Sequence, residues 1–203
     1  MKKLMALLLA AIMVLTLGAC VKEGPVAATE STAPGEELPQ ENQVYTEPDP
    51  EDTQPNIYYL NHDPAMEGPW KTLAQRYKDE TGIEVRVITA APQYYAETLA
   101  EALEKNEVPT LFYCANPLDL ADICYDITGA QVCLLLKNGE ALVSGGKTIA
   151  IPVASMEDGA LVWNGEAGYW CINGTATQLD AQATLIFLNW ALTVGAETLF
   201  AES

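Results

Sequence analysis

Histidine is nearly absent from this 203-residue chain, which carries only His62. None of its five cysteines stands in a C-x-x-C pair. Together these leave no ligand set of the usual spacing for a metal cluster, and no metal or other cofactor is expected. Basic residues are scarce too: 10 Lys and Arg stand against 28 Asp and Glu, a net charge of −18. From Asn56 to Ser203 the balance is 7 against 19, or −12. Such a surface repels nucleic acid and anionic membranes. No G-x-S-x-G, H-E-x-x-H or cysteine–histidine pairing marks a catalytic centre. Carboxylates are plentiful, but nothing singles out two of them as an acid–base pair. There is no internal repeat.

What is present begins with a leader. Lys2 and Lys3 precede an uncharged apolar run, Leu4 to Ala19, which is shorter than the roughly 20 residues of a membrane-spanning helix. It ends in small residues, as a secretory signal does. Leu17-Gly18-Ala19-Cys20 resembles the bacterial lipobox, which implies cleavage before Cys20 and a lipid on that cysteine. Residues 1–19 are then the signal peptide and Cys20 a membrane anchor on the extracytoplasmic face. Val21 to Pro55 holds six prolines, nine acidic residues and one lysine. A stretch so poor in large apolar side chains cannot offset its own ordering entropy, so residues 20–55 read as an anchored, disordered acidic tether.

Residues 56–203 are enough for one domain with a core. "NIYYLN" (56–61) is a strand. A helix follows with Trp70, Leu73, Ala74 and Tyr77 on one face and Gly82 as its stop. "IEVRVITA" (83–90) alternates as a strand. A second helix starts near Tyr94, with Tyr95, Leu99 and Leu103 together, and "PTLFYCA" (109–115) is a third strand. This β-α-β-α-β order calls for a largely parallel sheet with helical crossovers. Then come a short helix around Leu118–Cys124, the apolar "VCLLL", a turn at Lys137-Asn138-Gly139-Glu140, and the strand "KTIAIPVA" (147–154). Two strand-like runs, "GALVWN" (159–164) and "GYWCIN" (168–173), stand almost end to end. Asp180 to Phe200 is expected as one closing helix with Leu185, Leu188, Ala191, Leu192 and Leu199 inward.

"SGGKT" (144–148) is not a phosphate loop. Ala141 stands where the first glycine belongs, and the β-rich "TIAIPV" follows where a helix must. The spacing of Cys114, Cys124, Cys133 and Cys171 dictates no disulfide pairing. A site is expected beyond the carboxyl ends of the parallel strands. That rule brings His62, between Asn61 and Asp63, toward Tyr113 and Asn116 after the third strand and Tyr94-Tyr95 after the second. Asp63 is also placed to cap a helix that has Pro64 at its first position. Aromatic faces beside amide and carboxylate groups suit a sugar, rings covering C–H faces and polar groups bonding hydroxyls.

The lipobox, the acidic tether, "IYYLN", "WKTLAQRYKDETGIEVRVITA", "VPTLFY" and "ICYDIT" resemble the start of an extracellular solute-binding protein of family 1, the carbohydrate or maltose type served by ABC transporters. "GKTIAIPVASMEDGALVWN" (146–164) is similar to that group's crossover segment, and "GYWCINGTATQLDAQATLIFLNWALT" to its returning hinge strand and helix. The resemblance implies a three-layer α/β lobe of the periplasmic-binding-protein type II fold, mostly parallel, with helices on both faces. It also implies that most of a second lobe is absent between 164 and 168. By position, ligand contacts would come from Asn61, His62, Asp63, Tyr113, Asn116 and Glu157, with Tyr94, Tyr95 and Trp170 as further candidates. The implied partners are a sugar or oligosaccharide, the permease subunits and, through Cys20, the membrane; no reaction is implied. A surface lipoprotein that uses the lobe to hold a protein partner, or a remnant that binds nothing, are the alternatives.

Overall fold

The computed structural model describes residues 54–105, 107–136 and 141–201. The leader, Cys20, most of the tether and the turn expected at 137–140 lie outside the described residues.

Six strands form one sheet: β1 (Ile57–Asn61), β2 (Val85–Thr89), β3 (Leu111–Cys114), β4 (Leu142–Ser144), β5 (Lys147–Glu157) and β6 (Ala160–Ile172), in the order β2-β1-β3-β6-β5-β4. β1 pairs in parallel with β2 and β3, and the remaining three pairings are antiparallel. Four strands therefore run one way, and β6 and β4 run against them. The parallel half is the β-α-β-α-β unit read from the sequence. Its central strand β1 is buried at every position, as a strand covered on both faces must be.

One face receives α1 (Glu67–Thr81), with Trp70, Leu73, Ala74 and Tyr77 buried, and α3 (Gln178–Ala191), with Phe187 and Leu188. α2 (Tyr95–Leu103) covers the other face with Tyr95, Leu99 and Ala102. α1 ends as expected, Gly82 taking a left-handed φ of 79° while its N–H bonds Lys78 O, a conformation that suits glycine. α3 is bolted to the sheet by a buried polar contact: Thr184 Oγ1 lies 2.7 Å from Thr110 Oγ1, which accepts from Tyr58 N–H at 3.0 Å.

Two expectations about the end of the chain are corrected. The closing helix is two: α3 stops at Ala191, and α4 (Ala196–Leu199) begins after a turn in which Gly195 N–H bonds Trp190 O. Within α3, Thr184 and Phe187 are buried, whereas Leu185 is half-buried. The apolar run "VCLLL", all but its last residue, lies in a 3₁₀ turn, Gln131–Leu135, that inserts Val132 into the core.

The two adjacent runs become a single strand, β6. Asp158 (φ 49°) and Gly159 (φ 75°) form a two-residue turn that folds β6 back on β5. Both central residues need positive φ there, which is why Asp-Gly suits it. Along this ribbon Pro152 pairs with Tyr169 but Val153 with Asn164. One step on β5 thus spans five on β6, and Gly165–Gly168 bulge out unopposed.

Candidate functional site

β1 and β3 are parallel neighbours, so His62, just past β1, and Tyr113, near the end of β3, meet at one end of the sheet. Their rings stack at 3.6 Å between centroids with an interplanar angle of 11°. Tyr95 on α2 meets both edge-on, at 6.0 Å from His62 and 5.7 Å from Tyr113. Its buried hydroxyl accepts from Tyr113 N–H at 2.9 Å and lies 3.0 Å from the carbonyl of Leu60. One phenol therefore ties the ends of β1 and β3 to the first turn of α2. Burial pushes that phenol's pKa up, so it stays a neutral donor.

The Tyr113 hydroxyl donates to Ala167 O at 2.8 Å, within the β6 bulge. Asn164 Oδ1 holds that bulge by accepting from the backbone N–H groups of Glu166 and Ala167. Burial lowers the pKa of His62, partly opposed by the neighbouring Asp63 carboxylate, so its imidazole is neutral at pH 7. Its Nδ1 is buried without a hydrogen-bond partner among the described residues.

Beside this stack opens a cleft of about 620 Å³, lined by His62, Tyr95, Tyr113, Cys114, Asn116 and Asp119 with Leu99, Leu103 and Leu120 as apolar walls. α2 forms one side. The 3₁₀ segment Pro117–Ile123 forms the other, where Asn116 Nδ2 donates to Asp119 Oδ2 at 2.8 Å. That carboxyl–amide pair, with His62, supplies the polar groups of a largely apolar cavity.

Of the residues proposed from the sequence, the cleft gathers His62, Tyr95, Tyr113 and Asn116. Asn61 is fully buried and structural: its Nδ2 donates to Asp63 O at 2.6 Å and to Thr89 Oγ1 at 3.1 Å. Trp170 lies on the opposite face of the sheet, donating from Nε1 to Tyr59 Oη at 3.2 Å. Asp63 caps the turn before α1 by accepting from Ala65 N–H. Tyr94 is exposed and outside the cleft lining. Glu157 sits at the β5–β6 turn, also outside that lining. Asp119, Leu120 and Cys114 were missed as lining residues. Their place after a strand end was the available signal, but the path of the 3₁₀ segment decides it.

No protein-family profile and no curated protein matches the chain. Solved structures do. RafE from Streptococcus pneumoniae, in its apo form, aligns at 17% identity over 50% of this chain and 28% of its own, with a TM-score of 0.41. A family 1 extracellular solute-binding protein from Bifidobacterium longum subsp. infantis aligns at 19% identity over 50% and 28%, with a TM-score of 0.42. A solute-binding protein from Staphylococcus aureus in complex with maltose aligns at 18% over 51% and 29%, with a TM-score of 0.41. The chain is similar to part of a family 1 extracellular solute-binding protein. It spans under three-tenths of the length of these structures. Among the described residues no helix is long and apolar enough to cross a membrane.

Proposed function

We propose that this chain is a lipid-anchored binding component of a carbohydrate importer, holding a sugar or short oligosaccharide in the cleft beside His62 and Tyr113 for delivery to ABC permease subunits. The observation that carries this reading is the stacked His62–Tyr113 pair at the strand ends, with Asn116 and Asp119 facing the same space. Aromatic faces take the C–H face of a sugar ring, and an amide beside a carboxylate takes its hydroxyls. The export leader and Leu17-Gly18-Ala19-Cys20 support the location and the anchor. Loss of palmitate-analogue labelling in Cys20→Ala is expected, and labelling unchanged in that variant sinks the anchor.

A single lobe contacts its ligand from one side and leaves hydrogen bonds in competition with water. Affinity near millimolar, about −4 kcal/mol, is therefore expected for the monomer. Calorimetry against a panel of neutral saccharides tests this, with Tyr113→Ala expected to weaken binding about tenfold or more through loss of the stacking face. Micromolar binding by a verified monomer overturns the one-sided geometry, and no heat with any saccharide overturns the sugar reading.

One observation favours a second reading. Leu99, Leu103 and Leu120 give the cleft apolar walls, which also suit an apolar side chain of a protein partner. In that case the same panel gives no heat, and a partner protein protects the cleft residues from labelling.

A further inference from the structure

The cleft beside His62 and Tyr113 has two unlike ends. Both of its walls run back along β3, from the carboxyl end of that strand toward its amino end. Tyr95 fixes the start of α2 at the carboxyl end, its hydroxyl lying 3.0 Å from Leu60 O. The 3₁₀ segment leaves the same end at Asn116 and reaches the amino end at Cys124. There Cys124 is bridged to Asn173, whose N–H bonds Thr110 O at 2.9 Å. The groove between the two walls therefore follows the strand. At about 1.5 Å of rise per residue, Leu103 stands about 12 Å along the helix axis from Tyr95.

The polar groups gather at the carboxyl end: His62, Tyr113, and Asn116 with the Asp119 carboxylate it holds. The remaining length is apolar. Ala96, Leu99, Ala100 and Leu103 recur at i, i+3, i+4 and i+7 on one face of α2, and Leu120 stands on the other wall. Glu97, Glu101 and Glu104 are exposed and outside the lining. The two alanines leave room that larger side chains would fill. Among the lining residues Asp119 is the only carboxylate, and no Lys or Arg is present.

Resting on the sugar reading of this same cleft, we propose that its ligand is an amphiphilic glycoside, with the sugar at the His62–Asn116 end and an alkyl or aryl aglycone along α2. A bare monosaccharide occupies the polar end and leaves Leu99, Leu103 and Leu120 facing water. An apolar aglycone removes that surface from water, which is favourable in proportion to the area covered. The Asn116 amide and the Asp119 carboxylate offer donors and acceptors to hydroxyls. With no cation in the lining and a net charge of −18, amphiphiles with a carboxylate head are disfavoured. The 620 Å³ of the cleft lies within the range of about 300–1,000 Å³ that holds ligands of this size.

The test is calorimetry on the full chain with paired methyl and hexyl β-glycosides of glucose, galactose and mannose, kept below micelle formation. A fully buried methylene is worth about fourfold in affinity. Ala96 and Ala100 are exposed, so the groove covers a tail in part, and the hexyl member of a pair is expected to bind about tenfold tighter than its methyl partner. Ala100→Trp fills the apolar arm from an exposed position, and the hexyl-to-methyl ratio is expected to fall close to one. The ratio on the unmodified chain does not depend on how that variant folds. Equal binding of methyl and hexyl glycosides would overturn the aglycone and leave the sugar reading standing. Binding by no glycoside would remove both. Binding of 1-hexanol or hexanoate as tight as that of the hexyl glycosides would show that the polar end reads no sugar, and a tenfold ratio that survives Ala100→Trp would place the tail outside the groove; either overturns the proposal.

Discussion

Trp70→Ala should cost the fold about 3–5 kcal/mol, the range for truncating a large buried aromatic. Trp70 is 1% exposed. Its ring lies 4.8 Å from that of Tyr59 on β1, 5.9 Å from Trp170 on β6 and 6.2 Å from Phe187 on α3. It thus joins α1, α3 and two strands that are not sequence neighbours. Removing it leaves a void that none of these elements can close without moving the others. The melting temperature should fall by on the order of 10 °C. Leu134→Ala, at a position 78% exposed, should change stability by no more than about 0.5 kcal/mol. Urea titration of both variants checks the contrast. A cost near zero for Trp70→Ala would mean that α1 and α3 do not share one core.

Gly168→Ala is the second large effect, and it acts on the cleft as well as on stability. Gly168 has φ +116°, and a Cβ there would lie 2.3 Å from Tyr113 Cε2 and 2.6 Å from its Oη. The strained backbone costs about 1–3 kcal/mol. The ring cannot simply retreat, because His62 is stacked on it. Displacing it also breaks the Tyr113–Ala167 hydrogen bond, worth about 1 kcal/mol. A loss of about 2–4 kcal/mol is expected, with the single His62 ring resonance shifted as its stacking partner moves. An unchanged His62 resonance in a folded Gly168→Ala protein would show that the bulge does not hold the aromatic stack.

The bulge is where sequence and structure part most instructively. "GALVWN" and "GYWCIN" read as two strands because Gly165, Glu166 and Ala167 interrupt the apolar pattern. In the fold they are one strand, since β-pairing to β5 continues on both sides and the four extra residues are looped out. The Asp158-Gly159 pair is the local hairpin signal that folds this strand back on β5. Likewise "NH" at 61–62 gave no sign that the first residue would turn into the core and the second into the cleft. Successive residues of a strand point to opposite faces, and which face carries the cleft depends on where α2 docks.

What the sequence by itself determined is what local periodicity and local stops can encode. The β-α-β-α-β order, the buried stripe of α1, its end at Gly82, the capping role of Asp63 and the strand after "SGGKT" all depend on residues within a few positions of one another. Only the tertiary structure decided the rest. Antiparallel insertion of β6 between β3 and β5 brought Tyr113 under the bulge, placed Trp170 in the core rather than the site, and set Cys171 between Cys114 and Cys124. These are pairings between segments some 50 residues apart, fixed by which strand edges remain free and which apolar faces must be covered, and neither condition is written in any local stretch of the chain.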